Sequence, residues 1–450
     1  MGIAIALTVS FVGLLLAVQQ GISIFYPLLG ALSLMTAVYW RRGVGLRPLL
    51  GQMKQGVQQS SGVLSILMLI GVVVASWLVS GTVPALVFYG LKLIHPQWFL
   101  VSAFVLTGMV SALLGTSFGS AGTIGLALMI MARGADVHEY WAAGAVISGA
   151  YVGDRCSPMS SSAHLVATIT GTDIYRNLRN MMITGWGALA LSVLIYGAAS
   201  LRHPLSIVEN PLLDSIPTTF VIHPITLLPA GLLVVLTLCR LPVRRTLIIS
   251  LGSAIVLALT LQSQSLVTVI TTLVLGLRLP ETDPLSDIFR GGGFWAMAQV
   301  CGVVLVSTAL AGLLSGQGTF NSVGHGLARW SGKRGLFGST VFAGGLTSAF
   351  GCTQTIAILL TQQITQPLYV ASRTSQEQLA VDIENSAVVI APLIPWNIAG
   401  LVPATVILTD SGFIPYAIYL YLLPICNWLF RAVLPNSPIR LERTERSISM

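Results

Sequence analysis

The sequence predicts an all-α polytopic membrane protein, because its composition leaves too few polar residues to cover a soluble globule. Of its 450 residues 54% are hydrophobic and only 8% are charged, and the mean hydropathy is +0.84. Many apolar runs reach the roughly 20 residues that a spanning helix needs. We expect about 10 to 13 membrane segments, arranged as two inverted-topology repeats with discontinuous helices and re-entrant hairpins.

The distribution of positive charge predicts the orientation of these segments. The formal net charge is +8, but Lys and Arg lie in short clusters between apolar runs. Cytoplasmic loops of membrane proteins have this pattern, so we expect a lipid bilayer and no nucleic acid as partner. Three Arg and one Lys in 41–54 follow two spans, 2–18 and 23–39. This predicts a cytoplasmic loop at 41–54 and a cytoplasmic N-terminus.

The remaining spans follow in order, at 62–83, 98–114, 144–173, 182–200, 224–239 and from about 246. A Gly/Ser/Thr break at 115–125 leaves a short apolar piece to Met131, which favours a broken or re-entrant hairpin. We divide the chain into a first repeat with N-terminal spans (1–201), an outer loop (202–223), a second repeat with a C-terminal span (224–434) and a tail (435–450). Three Arg in this tail predict that it is cytoplasmic.

Three sequence matches in the same order indicate the internal repeat. GVVVASWLVSG at Gly71 matches GVVLVSTALAG at Gly302, an offset of 231 (302 − 71). TSFGSAGTI and SAFGCTQTI are 232 apart, and the breaks at Pro158 and Pro392 are 234 apart (392 − 158). The charges of corresponding loops are reversed between the copies, which predicts opposite orientations. Inverted repeats with broken helices are typical of secondary transporters whose site lies at midplane.

The stretch from Gly144 to Asp173 is the first candidate site. It is an apolar run that Gly153, Asp154, Arg155 and Pro158 interrupt near its middle, and hydroxyls follow. A break inside hydrocarbon persists only where it lines a polar cavity. Asp154 is expected to ligate Na⁺ or exchange a proton; the alternative is an ion pair with Arg155 that neutralises the break.

The second candidate site surrounds Pro392. Glu384 leads into a polar Asn-Ser pair and the break, whereas Asp382 is interpreted as a solvated helix end. Hydroxyls near both breaks supply the oxygen ligands that hard cations prefer, although Ser and Thr also serve helix packing. The predicted ion- or substrate-binding residues are Asp154, Ser157, Ser160, Ser161, His164, Thr116, Ser117, Thr123, Glu384, Asn385, Ser386, Thr355 and Asn397. We expect no cofactor and no structural metal site.

These same segments resemble the NhaC family of Na⁺/H⁺ antiporters, in the ion-transporter superfamily. The resemblance rests on GTSFGSAGTIG, GAVISGAYVGDRCSPMS and APLIPWN, and covers most of the chain from Gly62. It implies Na⁺/H⁺ antiport by alternating access across a bacterial inner membrane, and analogy within the superfamily allows a homodimer. Two acids of the usual pattern are Ser161 and Asn385 here, and an amide is His164.

Other classes of protein fit the sequence less well. An intramembrane enzyme needs a nucleophile with a base or a metal cluster, and no HExxH motif occurs. A channel does not require paired broken helices in an inverted repeat. The main alternative is a Na⁺- or H⁺-coupled exchanger of a small organic solute, an organic acid or an amino acid. This alternative stays open because two acidic positions of the usual family pattern are Ser161 and Asn385 in this sequence.

Overall fold

The computed structural model describes residues 2–204, 211–239, 241–283, 285–318 and 321–433. This part of the chain is helical, with one isolated β-bridge between Leu277 and Gly291. The predicted tail at 435–450 and residues 205–210 of the predicted outer loop lie outside the described residues. The first half contains α1 (Gly2–Gln19), α2 (Phe25–Arg41), α3 (Leu46–Gln59), α4 (Ser61–Val79), α5 (Thr82–Leu93), α6 (Phe99–Leu114), α7 (Ser117–Ser120), α8 (Leu126–Gly134), α9 (Glu139–Cys156), α10 (Ser161–Thr170) and α11 (Ile174–Arg202). The second half contains α12 (Pro211–Thr219), α13 (Leu228–Leu238), α14 (Val243–Thr260), α15 (Leu266–Leu275), α16 (Phe294–Gly316), α17 (Asn321–Gly351), α18 (Gln354–Ala371), α19 (Gln376–Glu384), α20 (Ala387–Ile390), α21 (Ile398–Val406) and α22 (Ile418–Val433).

The lengths and compositions of these helices confirm a polytopic all-α membrane protein. Among the described residues, 5 helices are long and apolar enough to cross a bilayer, and two bent pairs raise this number to 7. One bent pair, 376–393 with 398–406, has an angle of 56° at the second predicted break. Further apolar helices of 10–17 residues include α5 and α15. The total of 10 to 13 segments stays a prediction.

The first break is much shorter than the sequence suggested. α6 ends at Leu114 because Gly115 has a left-handed backbone (φ 66°), and Thr116 then caps α7 by accepting a hydrogen bond from the Gly119 amide. From Ser117 to Gly134 the chain stays helical through a π-helical turn at Ala121–Gly125. The predicted break over 115–125 was therefore wrong in extent. Its hydroxyls bond back to carbonyls of their own helix, so they do not interrupt it.

The break in the central stretch is also shorter than predicted. α9 continues to Cys156, so Asp154 and Arg155 lie in its last turn instead of in the break. Only residues 157–160 are non-helical, and Ser160 caps α10 by accepting from the Ala163 amide. Helix geometry thus holds the two charged side chains in fixed directions, while the hydroxyl-rich segment folds back beside them.

Helix boundaries recur at a constant spacing of 237 residues. α9 begins at Glu139 and α19 at Gln376 (376 − 139), and α7 and α18 begin at Ser117 and Gln354 (354 − 117). Residues with a left-handed backbone have the same spacing: Gly115 and Cys352, Asp136 and Arg373, and Gly171 and Leu408. The helix-capping residues do too: Ser160 and Asn397, and Asp173 and Asp410. The sequence matches, at offsets of 231 to 234, differ from this structural spacing by three to six residues, and the division into two repeats stays a prediction. The inverted orientation of the two halves stays a prediction.

The predicted loop at 41–54 contains a helix that the sequence reading missed. α3 packs against α16, and a Cβ added at Gly56 would overlap the Thr308 carbonyl and Gly312 on that helix. Gly56 and Gly312 thus allow the two backbones to approach closely, as small residues do between membrane helices. The basic cluster belongs partly to this packed helix.

Close packing of α6 against α9 positions the first site. Gly149 of α9 lies against the Phe104 carbonyl, and Gly153 lies against Ser111 and the Ala112 amide. Ser111 donates a hydrogen bond to the Ala150 carbonyl across this contact, at 2.5 Å. Any larger side chain at these glycines would separate the helices, so α6 fixes the height and rotation of the last turn of α9.

Candidate functional site

Asp154 lies in a buried polar pocket formed by three segments of the first repeat. Its side chain is 5% exposed, and the Ser160 hydroxyl donates to its Oδ1 at 2.8 Å. The hydroxyl and the backbone amide of Ser117, at the start of α7, also face this carboxylate. Ser162 bonds to Ser160 at 2.9 Å, which extends the pocket by one more hydroxyl. Carboxylate and hydroxyl oxygens are the ligands that a hard monovalent or divalent cation prefers.

Arg155 makes its hydrogen bonds away from Asp154 and connects α9 to α11, α22 and the end of α19. Its guanidinium donates to the Tyr419 hydroxyl at 2.7 Å, the Met181 carbonyl at 2.8 Å and Oδ1 of Asn385 at 2.6 Å. Ion pairs within the described part of the chain do not include Arg155 with Asp154. The alternative in which Asp154 only neutralises its neighbour is thus not supported by the geometry. The Asn385 contact brings the two predicted breaks together directly.

Glu384 is the second buried acid, and it lies beside the first site. Its side chain is 1% exposed, and neither carboxylate oxygen accepts a hydrogen bond from the described residues. Arg155 and Asp154 are both within electrostatic range of Glu384, as are Cys156 and Tyr419. A buried carboxylate without donors is costly to ionise, so its charge state depends on what neutralises it.

The Asn-Ser pair after Glu384 anchors the second break. Besides accepting from Arg155, Asn385 donates to Thr184 at 3.1 Å and Asn427 at 3.2 Å, which ties it to α11 and α22. Ser386 bonds back to the Asp382 carbonyl at 2.5 Å. Both side chains are fully buried, and the described geometry gives Ser386 a helix-terminating role.

Asn397 closes the second break and begins α21. Its Nδ2 donates to the Ser348 carbonyl at 2.7 Å, and its Oδ1 accepts from the Ala399 amide at 3.0 Å. The neighbouring Trp396 donates to the Ala349 carbonyl at 2.6 Å. Tyr151 of α9 reaches this segment from the other repeat and donates to the Ala399 carbonyl at 2.7 Å. The start of α21 is therefore held from both halves of the molecule.

Other predicted residues near the first break stabilise the backbone. Ser157 donates to the Ala112 carbonyl at 2.7 Å and accepts from the Met159 amide at 3.1 Å. Thr116 caps α7, and Thr123 bonds to the Gly119 carbonyl at 2.8 Å within its own helix. Thr123 also lines an apolar cavity of about 240 Å³ beside Trp77. These residues shape the walls of the site.

Three predicted residues lie at the protein surface and not in the buried pocket. Ser161 and His164 are exposed on α10, and His164 contacts the Pro158 carbonyl through Nε2 at 2.9 Å. Thr355 is exposed at the start of α18. Surface polar residues of this kind can form an entrance to a site, and their role as ligands stays a prediction.

The sequence interpretation of Asp382 was wrong. This residue is fully buried on α19, where the Tyr369 hydroxyl donates to its Oδ2 at 2.5 Å and Gln378 to its Oδ1 at 2.8 Å. Proximity to charged residues along the chain suggested solvent exposure. The helix instead turns Asp382 toward Tyr369 of α18, 13 residues earlier in the chain, and the local sequence pattern does not show that α18 covers this side of α19.

The sequence analysis also missed two residues around Arg155. Tyr419 supplies a buried hydroxyl from α22, and Gly185 of α11 leaves room for the guanidinium, because a Cβ there would lie 2.8 Å from Nη1. The sequence signal for these residues was the adjacent pair Asp154 and Arg155. An Arg that does not pair with its neighbouring Asp needs hydrogen-bond acceptors from other segments, but only the tertiary structure shows which residues supply them.

Comparison with known proteins agrees with this arrangement. A model of the Na⁺/H⁺ antiporter family matches residues 149–432, which contain Asp154 and Glu384. The chain is 29% identical over 444 residues to the Na⁺/H⁺ antiporter NhaC of Alkalihalophilus pseudofirmus, covering 94% of this chain and 95% of that protein. It is 31% identical over 388 residues to NhaC of Bacillus subtilis, covering 84% of each. The malate-2H⁺/Na⁺-lactate antiporter of Bacillus subtilis is 25% identical over 425 residues, covering 92% of this chain and 89% of that protein.

The family match spans more than half of the chain, and the relatives align along most of their own length. The matched region begins within α9 and ends within α22, so it includes the breaks at 157–160 and around Pro392 and the contact between Arg155 and Asn385. Motif, fold and similarity thus converge, and the chain belongs to the Na⁺/H⁺ antiporter family.

Proposed function

We propose that the protein exchanges Na⁺ for H⁺ across a membrane by alternating access. The observation that carries this proposal is that two buried acids, Asp154 and Glu384, one from each predicted repeat, are each followed by a residue of one hydrogen bond, Arg155 to Asn385 at 2.6 Å. An ionised carboxylate in the bilayer centre costs about 2.5–3.5 kcal/mol even on the insertion scale. Asp154 and Glu384 therefore favour a state in which a cation or a proton neutralises them.

Competition for the same carboxylates explains the exchange. Na⁺ binds the ionised form of Asp154 together with the Ser117 and Ser160 oxygens, and a proton removes that form. Loading by one ion thus excludes the other, and each neutralised state is cheaper to carry across the apolar interior than the empty one. The broken helices on either side of the site provide the movable elements, as in other secondary transporters.

The membrane orientation belongs to the same proposal. The basic cluster at 41–54 favours cytoplasmic termini in a bacterial inner membrane. Reaction of single cysteines with an impermeant thiol reagent in intact cells tests it: the cluster is expected to react only after the cells are opened. The homodimer stays a prediction that cross-linking in the membrane can test.

Exchange of an organic solute is the second candidate function. It is favoured by the relative named malate-2H⁺/Na⁺-lactate antiporter, which aligns over 92% of this chain. A carrier of this kind would move Na⁺ and H⁺ only when its organic substrate is present. The two candidates therefore differ in whether ions alone suffice for transport.

Proteoliposomes containing the purified protein and a trapped pH dye separate these functions. We expect a Na⁺ gradient to drive proton movement with no organic solute present. D154N and E384Q are expected to abolish this movement, whereas D287N, whose carboxylate is 91% exposed, serves as the matched control and retains it. Strict dependence of ion movement on an added dicarboxylate or amino acid would overturn Na⁺/H⁺ antiport in favour of solute exchange.

A further inference from the structure

The segment from Arg41 to Lys54 exposes four basic side chains that its own part of the chain does not neutralise. Arg41 and Arg42 lie at the end of α2. Arg47 and Lys54 lie on α3, and all four are exposed. The three ion pairs within the described residues include none of them. The first acidic residue of the chain is Asp136, so no counter-charge lies nearby in the sequence.

The helices that pack against this segment do not supply a counter-charge either. α3 packs mainly against α16 and also contacts α4, and neither of these helices contains an Asp or Glu. α2 packs against α1 and α16, and α1 is also free of acids. An anion that balances the four positive charges must therefore come from outside these helices.

Lys54 lies beside a helix of spanning length and not in an extended loop. α3 runs antiparallel to α16, because Gln52 lies against Gly316 and Gly56 lies against Gly312. Lys54 comes between Gln52 and Gly56, so it is level with the last turns of α16, which is long and apolar enough to cross a bilayer. Residues two positions apart face roughly opposite sides of a helix. The exposed Lys54 side chain therefore faces away from α16, near the boundary of the hydrocarbon region.

Arg47, Leu50 and Lys54 form one exposed stripe along α3. They are three and four residues apart, which places their side chains on the same face of the helix. The helical rise separates Arg47 from Lys54 by about 10 Å. Leu50 lies between them and is 60% exposed, and Trp40 at the end of α2 is 59% exposed. Trp is enriched where membrane meets water. Two cations on either side of an apolar side chain match a ligand with a charged headgroup and an acyl chain.

We propose that this stripe, with Arg41 and Arg42 beside it, binds an anionic phospholipid. Phosphate oxygens of the headgroup accept hydrogen bonds from Arg47 and Lys54, and an acyl chain packs on Leu50. Long basic side chains at the membrane boundary extend toward the headgroups, where the phosphates lie. The site goes beyond the proposed ion exchange, because it lies on α3 and does not involve Asp154. The lipid supplies the negative charge that the neighbouring helices lack.

Native mass spectrometry of the full chain in detergent tests this site. The protein is titrated with phosphatidylglycerol and, separately, with phosphatidylcholine of the same acyl chains, whose headgroup has no net charge. We expect the wild type to bind phosphatidylglycerol at the lower concentration. One basic side chain near the membrane surface changes the affinity for an anionic lipid about fivefold, so R47Q/K54Q should bind it roughly 25-fold more weakly. R47K/K54R keeps both charges and should retain the preference.

The matched control is R278Q/R290Q. It removes the same number of charges from exposed positions in a segment that also contains three acids, one of which, Asp287, lies 3.5 Å from Arg290. Because these charges have counter-charges within their own segment, we expect the control to bind phosphatidylglycerol as the wild type does. If R47Q/K54Q does not fold, K54Q alone decides the question through its expected fivefold loss.

Four outcomes would overturn the lipid site. The first is unchanged phosphatidylglycerol binding in R47Q/K54Q, and the second is an equal loss in R278Q/R290Q, which would make overall charge the cause. Loss of the preference in R47K/K54R would make packing the cause. Displacement of the lipid by millimolar inorganic phosphate would show that the site takes a free anion. Lipid binding is measured without transport, so failure of the proposed Na⁺/H⁺ antiport would leave this inference standing.

Discussion

Asp154 and Glu384 are expected to respond differently in stability when each is neutralised. E384Q replaces a carboxylate whose oxygens accept no hydrogen bond from the described residues, so the amide loses no such bond. D154N replaces a carboxylate that accepts from Ser160 at 2.8 Å and faces the Ser117 amide. In D154N the side-chain NH₂ group must then point at one of these hydrogen-bond donors, which leaves that donor without an acceptor. Transport should be lost in both variants.

The magnitudes follow from these surroundings. Leaving a buried donor without an acceptor costs about 1–3 kcal/mol, so D154N should lower the free energy of unfolding by that amount. E384Q removes a charge that costs up to about 2.5–3.5 kcal/mol to ionise in the membrane. The unpaired NH₂ group of the new amide and the loss of the attraction to Arg155 offset part of this gain. We therefore expect E384Q to be at least as stable as the wild type.

Thermal unfolding of the detergent-purified proteins, followed by tryptophan fluorescence, measures this difference. The apparent Tm of D154N should fall below that of the wild type, and the apparent Tm of E384Q should equal or exceed it. An E384Q variant that unfolds several degrees below the wild type would show that Glu384 makes stabilising contacts, and the reasoning about its missing partners would be refuted. Equal stability of D154N and E384Q would refute the assigned role of Ser160.

Three further predictions concern packing, capping and a contact between the repeats. G153A should lower stability by about 1–3 kcal/mol because its Cβ meets α6, whereas G187A, with nothing within 4 Å, should not lower it; thermal unfolding compares them. S160A should cost about 1 kcal/mol as a lost cap and should also weaken Na⁺ binding, measured as the half-saturating concentration for exchange. R133Q should lower the Tm because Arg133 donates to Glu139 at 2.6 Å and to the Leu408 carbonyl, and an unchanged Tm would contradict that contact.

The membrane class could be predicted because composition alone determines it. A chain with 8% charged residues cannot cover a soluble surface, and apolar runs of spanning length follow directly. The matches between the predicted repeats were visible for a similar reason, since glycine, hydroxyl and proline positions mark helix boundaries locally. Their offset differs from the structural spacing because residue identity diverges between the halves, whereas several helix starts and caps lie 237 residues apart (397 − 160 at the caps).

The candidate site could be predicted only in part. Asp154 and Glu384 were identified because each ionisable group in an apolar run requires an explanation. The partners of Arg155 were not predictable, since Tyr419 is 264 residues away in the chain and Asn385 is 230 residues away. Asp382 was misjudged because the periodicity of a nine-residue helix does not show which face another helix covers.

The sequence by itself determined that this is a helical membrane carrier with an acid near each predicted break, because hydrophobicity and local backbone preferences are properties of the chain. The tertiary structure decided that Arg155 contacts Asn385 instead of Asp154, that Glu384 is left without donors, and that Asp382 is enclosed. These features depend on which helices meet and at what rotation, and close contacts such as that of Gly153 with α6 fix that rotation.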